Sequence, residues 1–331
     1  MSGEILPYQP GQLAPLTASG QLVVPAIVAD LGDHAARRFA EFFAANIPND
    51  NTRAAYIQAI GQFLRWCEAQ PLTLHQVEPI AVAAYIKAHT GSDPTKKQHL
   101  AAIRMLFDWL VTGQVVPLNP AASVRGPKHI VKKGKTPVLS GEDAAKLLKS
   151  IVPDEAEAAL IDLRDRALIG VMVYSFARIG AVVGMKVEDY YPNGKRWWLR
   201  LHEKGGKFHE LPAHHLAEEY LDAYLRASGI GEDRKHPLFQ TIPRKTDKLT
   251  GRPLPRRNAL DMVKRRAIAA GLSPRVCNHT FRATGITAYL ENGGTIEKAQ
   301  QIAAHESPKT TKLYDRTDDQ VTLDEIERIV L

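Results

Sequence analysis

Several short stretches of this chain gather side chains suited to phosphate chemistry. Asn278-His279-Thr280-Phe281-Arg282 is followed by Ala303-Ala304-His305 and then by Thr311-Lys312-Leu313-Tyr314. Upstream lie Ser175-Phe176-Ala177-Arg178-Ile179-Gly180 and the turn Glu203-Lys204-Gly205-Gly206-Lys207. Breaking a phosphodiester requires a nucleophile that can approach an anion, donors for charge that builds on the nonbridging oxygens, and a proton for the leaving alkoxide. Acidic clusters that hold Mg²⁺ often meet these needs. The sequence offers no obvious cluster of that kind; it offers cations and a tyrosine. A free tyrosine has a pKa near 10, so only about one in a thousand is ionised at neutral pH. A tyrosine nucleophile therefore needs a base or a cationic surround. Guanidinium suits the oxygens because it is planar, permanently charged and able to bind them in pairs.

Each piece alone says little. An HxxR pair on a helix merely puts two polar groups on one face, a tyrosine near a C-terminus usually packs, and a lysine beside a Gly-Gly turn is usually a solvated charge. Order and spacing together are specific: Arg178, Lys204, His279, Arg282, His305 and Tyr314, the last nine positions after His305. In this the chain resembles the tyrosine recombinase (phage integrase) family, throughout its second half and more weakly in NTRAAYIQAIGQFLRWC and TKKQHLAAIRMLFDWL of the first. The resemblance implies a site-specific recombinase that cleaves and rejoins DNA for integration, excision or resolution. Tyr314 would attack the scissile phosphate to form a 3′-phosphotyrosine, with no ATP and no other cofactor. Arg178 and Arg282 would clamp the nonbridging oxygens, Lys204 would protonate the leaving 5′-hydroxyl, His279 would serve as base or proton shuttle, and His305 would hydrogen-bond the phosphate. Lys207 competes with Lys204 from the other side of the turn, and the family's pattern favours Lys204. His214-His215 has no partner cluster and reads as a helix start, so no metal site is expected. The chain departs from the pattern at Phe176, where a small residue is usual, at Ala181, where Glu is usual, and at Ala304, where Gly is usual. These departures imply intact chemistry with altered packing. A type IB topoisomerase and a non-catalytic DNA-binding protein are the rival readings.

The elements that must position these residues fall into two blocks. Residues 1–33 are rich in Pro, Gly, Ala and Ser and read as an irregular arm. Residues 34–122 read as a helical core DNA-binding domain. Asn51-Thr52 caps a helix with Ala55, Tyr56, Ala59, Ile60, Phe63, Leu64 and Cys67 at helical spacing, and Pro79 opens a second with Ile80, Ala83, Ala84 and Ile86. A third, from about Pro94 to Gly113, carries Leu100, Ile103, Leu106, Phe107 and Leu110 on one face and Lys96, Lys97, His99 and Arg104 on the other; it is the candidate for major-groove entry. Residues 123–139 form a basic linker with Arg125, Lys128, Lys132, Lys133 and Lys135 and no acid among them, suited to crossing DNA phosphates. Residues 140–331 read as a catalytic domain, opened by a capping box at Ser140. It is mostly helical, with one small antiparallel sheet turned at Asn193-Gly194 and Gly205-Gly206 and a C-terminal tail helix near Leu323–Ile329. Arg252, Arg256, Arg257, Lys264, Arg265 and Arg266 form a second cationic group suited to phosphate contact. The fold expected is mainly α, a two-domain C-shaped clamp on double-stranded DNA, binding as a dimer per site and a tetramer in synapsis. The tail would pack on its own domain or dock into a neighbouring subunit.

Composition bounds these readings. The 331 residues are 44% hydrophobic with a formal charge of +7, enough apolar material for two ordinary cores and a balance compatible with a polyanionic partner. Two distant cysteines, Cys67 and Cys277, argue against disulfides or a cysteine zinc site. No secretory segment and no apolar run of about 18 residues is visible. No membrane partner is therefore expected, and the cytoplasm is the expected location.

Overall fold

The computed structural model describes residues 23–128, 134, 136–203, 208–243, 245–314 and 326–327. The chain divides into two compact units, Met1–Ile130 and Val131–Leu331. Each has its own apolar core.

The first unit is helical: α1 (Ala26–Ala29), α2 (Asp33–Ala45), α3 (Asp50–Ala69), α4 (Pro79–Ala88) and α5 (Asp93–Thr112). The irregular arm expected through residue 33 is corrected at its end, because Ile27 and Val28 of α1 are buried in the core with Phe39, Phe42 and Phe43 of α2. The cap of α3 lies earlier than expected. Asn49, not Asn51, accepts from the Thr52 amide at 3.1 Å, which satisfies one of the open donors of the first turn. On α4 the buried residues are Val82, Tyr85 and Ile86, while Ile80 is 75% exposed; two alanines on the outer face had made the stripe look displaced. α5 buries Leu100, Ile103, Leu106, Phe107 and Leu110 as expected.

Two residues assigned to the polar face of α5 do other work. His99 is buried, with Nδ1 2.8 Å from the Tyr85 hydroxyl. Burial first, then the charge of His89, pushes its pKa down to about 4, so it is neutral at physiological pH. Arg104 donates Nε to the Ala121 carbonyl at 2.9 Å and Nη2 to that of Val124. It ties the segment that follows α5 back to that helix.

In the second unit α6 (Gly141–Ile151) opens with Ser140, whose Oγ accepts from the Asp143 amide at 3.0 Å. α7 (Leu160–Ser175) is buried along most of its length and forms the centre of the unit. After α8 (Ile179–Val183) come β1 (Tyr190–Asn193), β2 (Arg196–His202) and β3 (Phe208–Pro212), an antiparallel sheet in that order. Tyr190 faces Leu199 across the first pair and His202 faces Phe208 across the second. Then follow α9 (His215–Ser228), α10 (Arg256–Ala269), α11 (Asn278–Glu291), α12 (Ile296–Ile302) and α13 (Pro308–Lys312). The protein is therefore mainly α with one small antiparallel sheet in its C-terminal part.

α7 and α11 cross closely because of Gly285. A Cβ there would meet the Val173 carbonyl and lie 2.7 Å from Phe176 Cδ1. This contact brings the C-terminal end of α7 against the middle of α11 and so fixes where Arg178 stands relative to Arg282.

Candidate active site

α7 stops because Phe176 takes a left-handed conformation (φ 54°). Ala177 and the extended Arg178 follow, and Arg178 is the N-cap of α8. The stop aims the Phe176 carbonyl at α11, where Arg282 donates to it through Nη1. Arg282 Nη2 donates to the carbonyl of Ala303, at the end of α12. Two backbone oxygens from different elements thus orient a guanidinium whose residue is 1% exposed. Burial, then the charge of Arg178, lowers the Arg282 pKa to about 10; the Glu203 carboxylate and the Tyr314 hydroxyl act in the opposite direction. It remains charged at neutral pH. Arg178, about a third exposed, donates Nη1 to Glu203 Oε2 at 2.6 Å, and that carboxylate is 4% exposed.

His279, the second residue of α11, is exposed. Partial burial of the ring, then the charges of Arg282 and Arg178, hold its pKa below the ordinary imidazole value. His305 follows Ala304, which is left-handed at φ 46°. Its Nδ1 lies 2.8 Å from the buried Thr311 hydroxyl, and its ring stacks on that of Tyr314 with centroids 5.8 Å apart and planes 9° off parallel. Burial, then Arg282, Arg178 and His279, pushes its pKa down to about 3, so it is neutral.

Tyr314 follows α13, which is too short to hold itself. Its amide donates to Thr311 O at 2.9 Å and its carbonyl accepts from Thr287 Oγ1 of α11 at 2.9 Å. One residue earlier, the Leu313 carbonyl accepts from the Gly134 amide at 3.0 Å. The half-buried tyrosine packs against Phe176, Ile286, Leu290, Ala299 and Ala303.

The structure thus brings Arg178, His279, Arg282, His305 and Tyr314 into one site. Lys204 and Lys207 lie outside the described residues, as do Lys132, Lys133, Lys135 and most of the tail after Tyr314. Sequence reasoning missed Glu203, Thr287 and Thr311; the partners of Glu203 and Thr287 lie 25 and 27 residues away, and Thr311 meets His305 only through the turn between α12 and α13. Of the remaining basic residues, Lys97, Arg125, Lys128, Arg256 and Arg257 are exposed and Lys96 is half-buried. Arg256 lies over α8, its guanidinium filling the place of a Cβ on Gly180. Arg257 pairs with Asp261 at 3.2 Å, and Arg266 is bound to Asp162 and Asp165. Among the described residues no group of His, Cys, Asp and Glu is arranged to hold a metal ion, and no helix is long and apolar enough to cross a membrane.

The phage integrase family model matches residues 138–321. Tyrosine recombinase XerD of Chlorobaculum tepidum is 24% identical over 274 residues, 81% of this chain and 86% of that protein. Among solved structures, the fold is similar to that of XerH site-specific recombinase in its post-cleavage complex with palindromic difH substrate (TM-score 0.64, 20% identity, 84% of this chain and 79% of that one). It is also similar to a lambda integrase tetramer bound to a Holliday junction (TM-score 0.65, 18% identity, 92% and 86%).

Proposed function

The chain belongs to the phage integrase family and is a tyrosine recombinase that cleaves and rejoins DNA; from that premise we propose how its own residues do so. Tyr314 Oη attacks the scissile phosphorus, forms a 3′-phosphotyrosine and releases the 5′-oxygen, which takes a proton from Lys204. The bond energy stays in the phosphotyrosine ester, so a second 5′-hydroxyl can reverse the step on a new strand. Arg282 and Arg178 bind the nonbridging oxygens. Arg282 is already oriented by two carbonyls, and preorganised donors of this kind contribute about 3 kcal/mol each to transition-state stabilisation. His279, whose pKa is held below the ordinary imidazole value by partial burial and then by Arg282 and Arg178, takes the tyrosine proton. When the Thr311 hydroxyl donates to His305 Nδ1, the other ring nitrogen carries the hydrogen and can donate to a phosphate oxygen.

The observation that carries this reading is the stacking of His305 on Tyr314 beside the carbonyl-held Arg282, with Arg178 and His279 close enough to act electrostatically on His305. The protein acts on duplex DNA as a dimer per site and a tetramer in synapsis, in the cytoplasm. Lys96, Lys97, Arg125, Lys128, Arg256 and Arg257 contact phosphates, joined by Lys132, Lys133, Lys135 and Lys207. A nicked duplex carrying the site that the purified protein protects should trap a covalent adduct, whereas Tyr314→Phe should give none. An adduct with the phenylalanine variant would remove Tyr314 as nucleophile, and none with the wild-type protein would favour a non-catalytic DNA-binding role.

A further inference from the structure

A buried carboxylate beside a phosphate-binding site needs a reason, because it repels the substrate and is costly to desolvate. Glu203 is such a group. It immediately follows β2, is 4% exposed, and meets Arg178 Nη1 at 2.6 Å. The two arginines of the site are held by different devices. Arg282 is enclosed and fixed by the carbonyls of Phe176 and Ala303. Arg178 stands on the short extended link between α7 and α8 with about a third of its side chain exposed, so packing alone does not set its direction. α8 has no acidic residue in its first turn that could reach back to it, and the third helical position is the buried Ala181.

We propose that Glu203 is the positioning residue for Arg178, holding its guanidinium in the orientation that receives the scissile phosphate. This rests on reading Arg178 as a phosphate-binding residue. A planar donor fork is useful only in the right plane, and partners that orient a ligating group typically change activity by about 10- to 100-fold when removed. Glu203 is also the chain neighbour of Lys204, so a test must separate an effect through the arginine from one through the lysine.

The test uses the full chain and a nicked duplex whose bridging oxygen at the scissile phosphate is sulfur. The P–S bond breaks and the thiolate leaves without needing a proton, so Lys204 drops out and slow variants stay readable. Glu203→Ala should slow adduct formation about 10- to 100-fold with duplex affinity within about twofold of wild type, and Glu203→Gln should fall between the two. In the Arg178→Ala background, Glu203→Ala should add no further loss beyond about threefold, because a residue acting through another is silent once that other is gone. A rate for Glu203→Ala within about twofold of wild type would overturn the proposal. So would the same factor recurring in the Arg178→Ala background, since a residue acting independently of Arg178 would multiply the losses. If Glu203→Ala does not fold, Glu203→Gln carries both comparisons. Failure of the wild-type protein to form any adduct would count against the recombinase reading itself, whereas wild-type activity with insensitive variants counts against Glu203 alone.

Discussion

An imidazole that is 7% exposed, bonded to a threonine hydroxyl and beside two guanidiniums has little to gain from a proton. Neutral His305 is therefore part of the folded site, and this has a pH signature. Its folded pKa, about 3, lies below the ordinary value of 6.5. Between those two values the unfolded chain binds the proton and the folded chain does not. The unfolding free energy therefore rises with pH across this window, is complete above about 6.5 and is lost as pH falls toward 3. The contribution is up to about 3 kcal/mol by pH 4. His305→Gln keeps a group able to bond Thr311 but does not titrate. Denaturant melts from pH 7 to pH 4 should show the wild-type protein losing stability faster than this variant. Parallel curves would mean that His305 titrates normally in the fold.

At the scale of the element, two helix ends carry the site, and both turn on left-handed residues that are not glycine. Phe176 (φ 54°) ends α7 and Ala304 (φ 46°) follows α12; each turn presents a carbonyl to Arg282. A left-handed residue other than glycine costs about 1–2 kcal/mol, and glycine recovers part of that after its larger entropy loss. Ala304→Gly should stabilise the protein by about 0.5–1 kcal/mol, a rise of about 2 °C in melting temperature for a unit of this size. Phe176→Gly should do the reverse although the backbone gain is similar. Its ring is buried against α11 and Tyr289, and losing a buried Phe costs about 3–5 kcal/mol. Calorimetry of the two variants should give opposite signs; two stabilised variants would show that the ring packs less than its burial indicates.

The same scale explains what the sequence disclosed. α5 repeats its apolar residues over several turns, and the span expected for it, about Pro94 to Gly113, lies within about one residue of the observed Asp93–Thr112. α8 and α13, with five residues each, and α1, with four, have no room for a period to show. β1 contains Pro192 and gave no strand signal of its own. In the site, the residue types and their order were legible because the chemistry demands them. Glu203 was visible only as the start of a turn, since its partner lies 25 residues away. The carbonyl contacts of Arg104 were not legible, because periodicity gives the direction in which a side chain leaves a helix, not the distance its guanidinium reaches back toward Ala121 and Val124.

At the scale of the molecule, a net charge of +7 says only that a polyanion is welcome. What each cation does depends on what it already touches. Lys97, Arg125 and Lys128 of the first unit are exposed, whereas Arg104 of the same unit donates to two backbone carbonyls. Each phosphate contact lowers the logarithm of the binding constant by about 0.9 per tenfold rise in salt, because counterions are released. Replacing Lys97, Arg125 and Lys128 together by glutamine should therefore make the salt slope of duplex binding shallower by about 2–3 and leave the melting temperature almost unchanged. Arg104→Gln should do the opposite. It leaves two carbonyls short of a donor, at a cost of about 1–3 kcal/mol, and leaves the salt slope in place. Fluorescence anisotropy across a salt series, paired with thermal melts of both variants, reads the two effects separately. A shallower slope for Arg104→Gln would return that residue to the DNA-contacting set, and an unchanged slope for the triple variant would remove the other three from it.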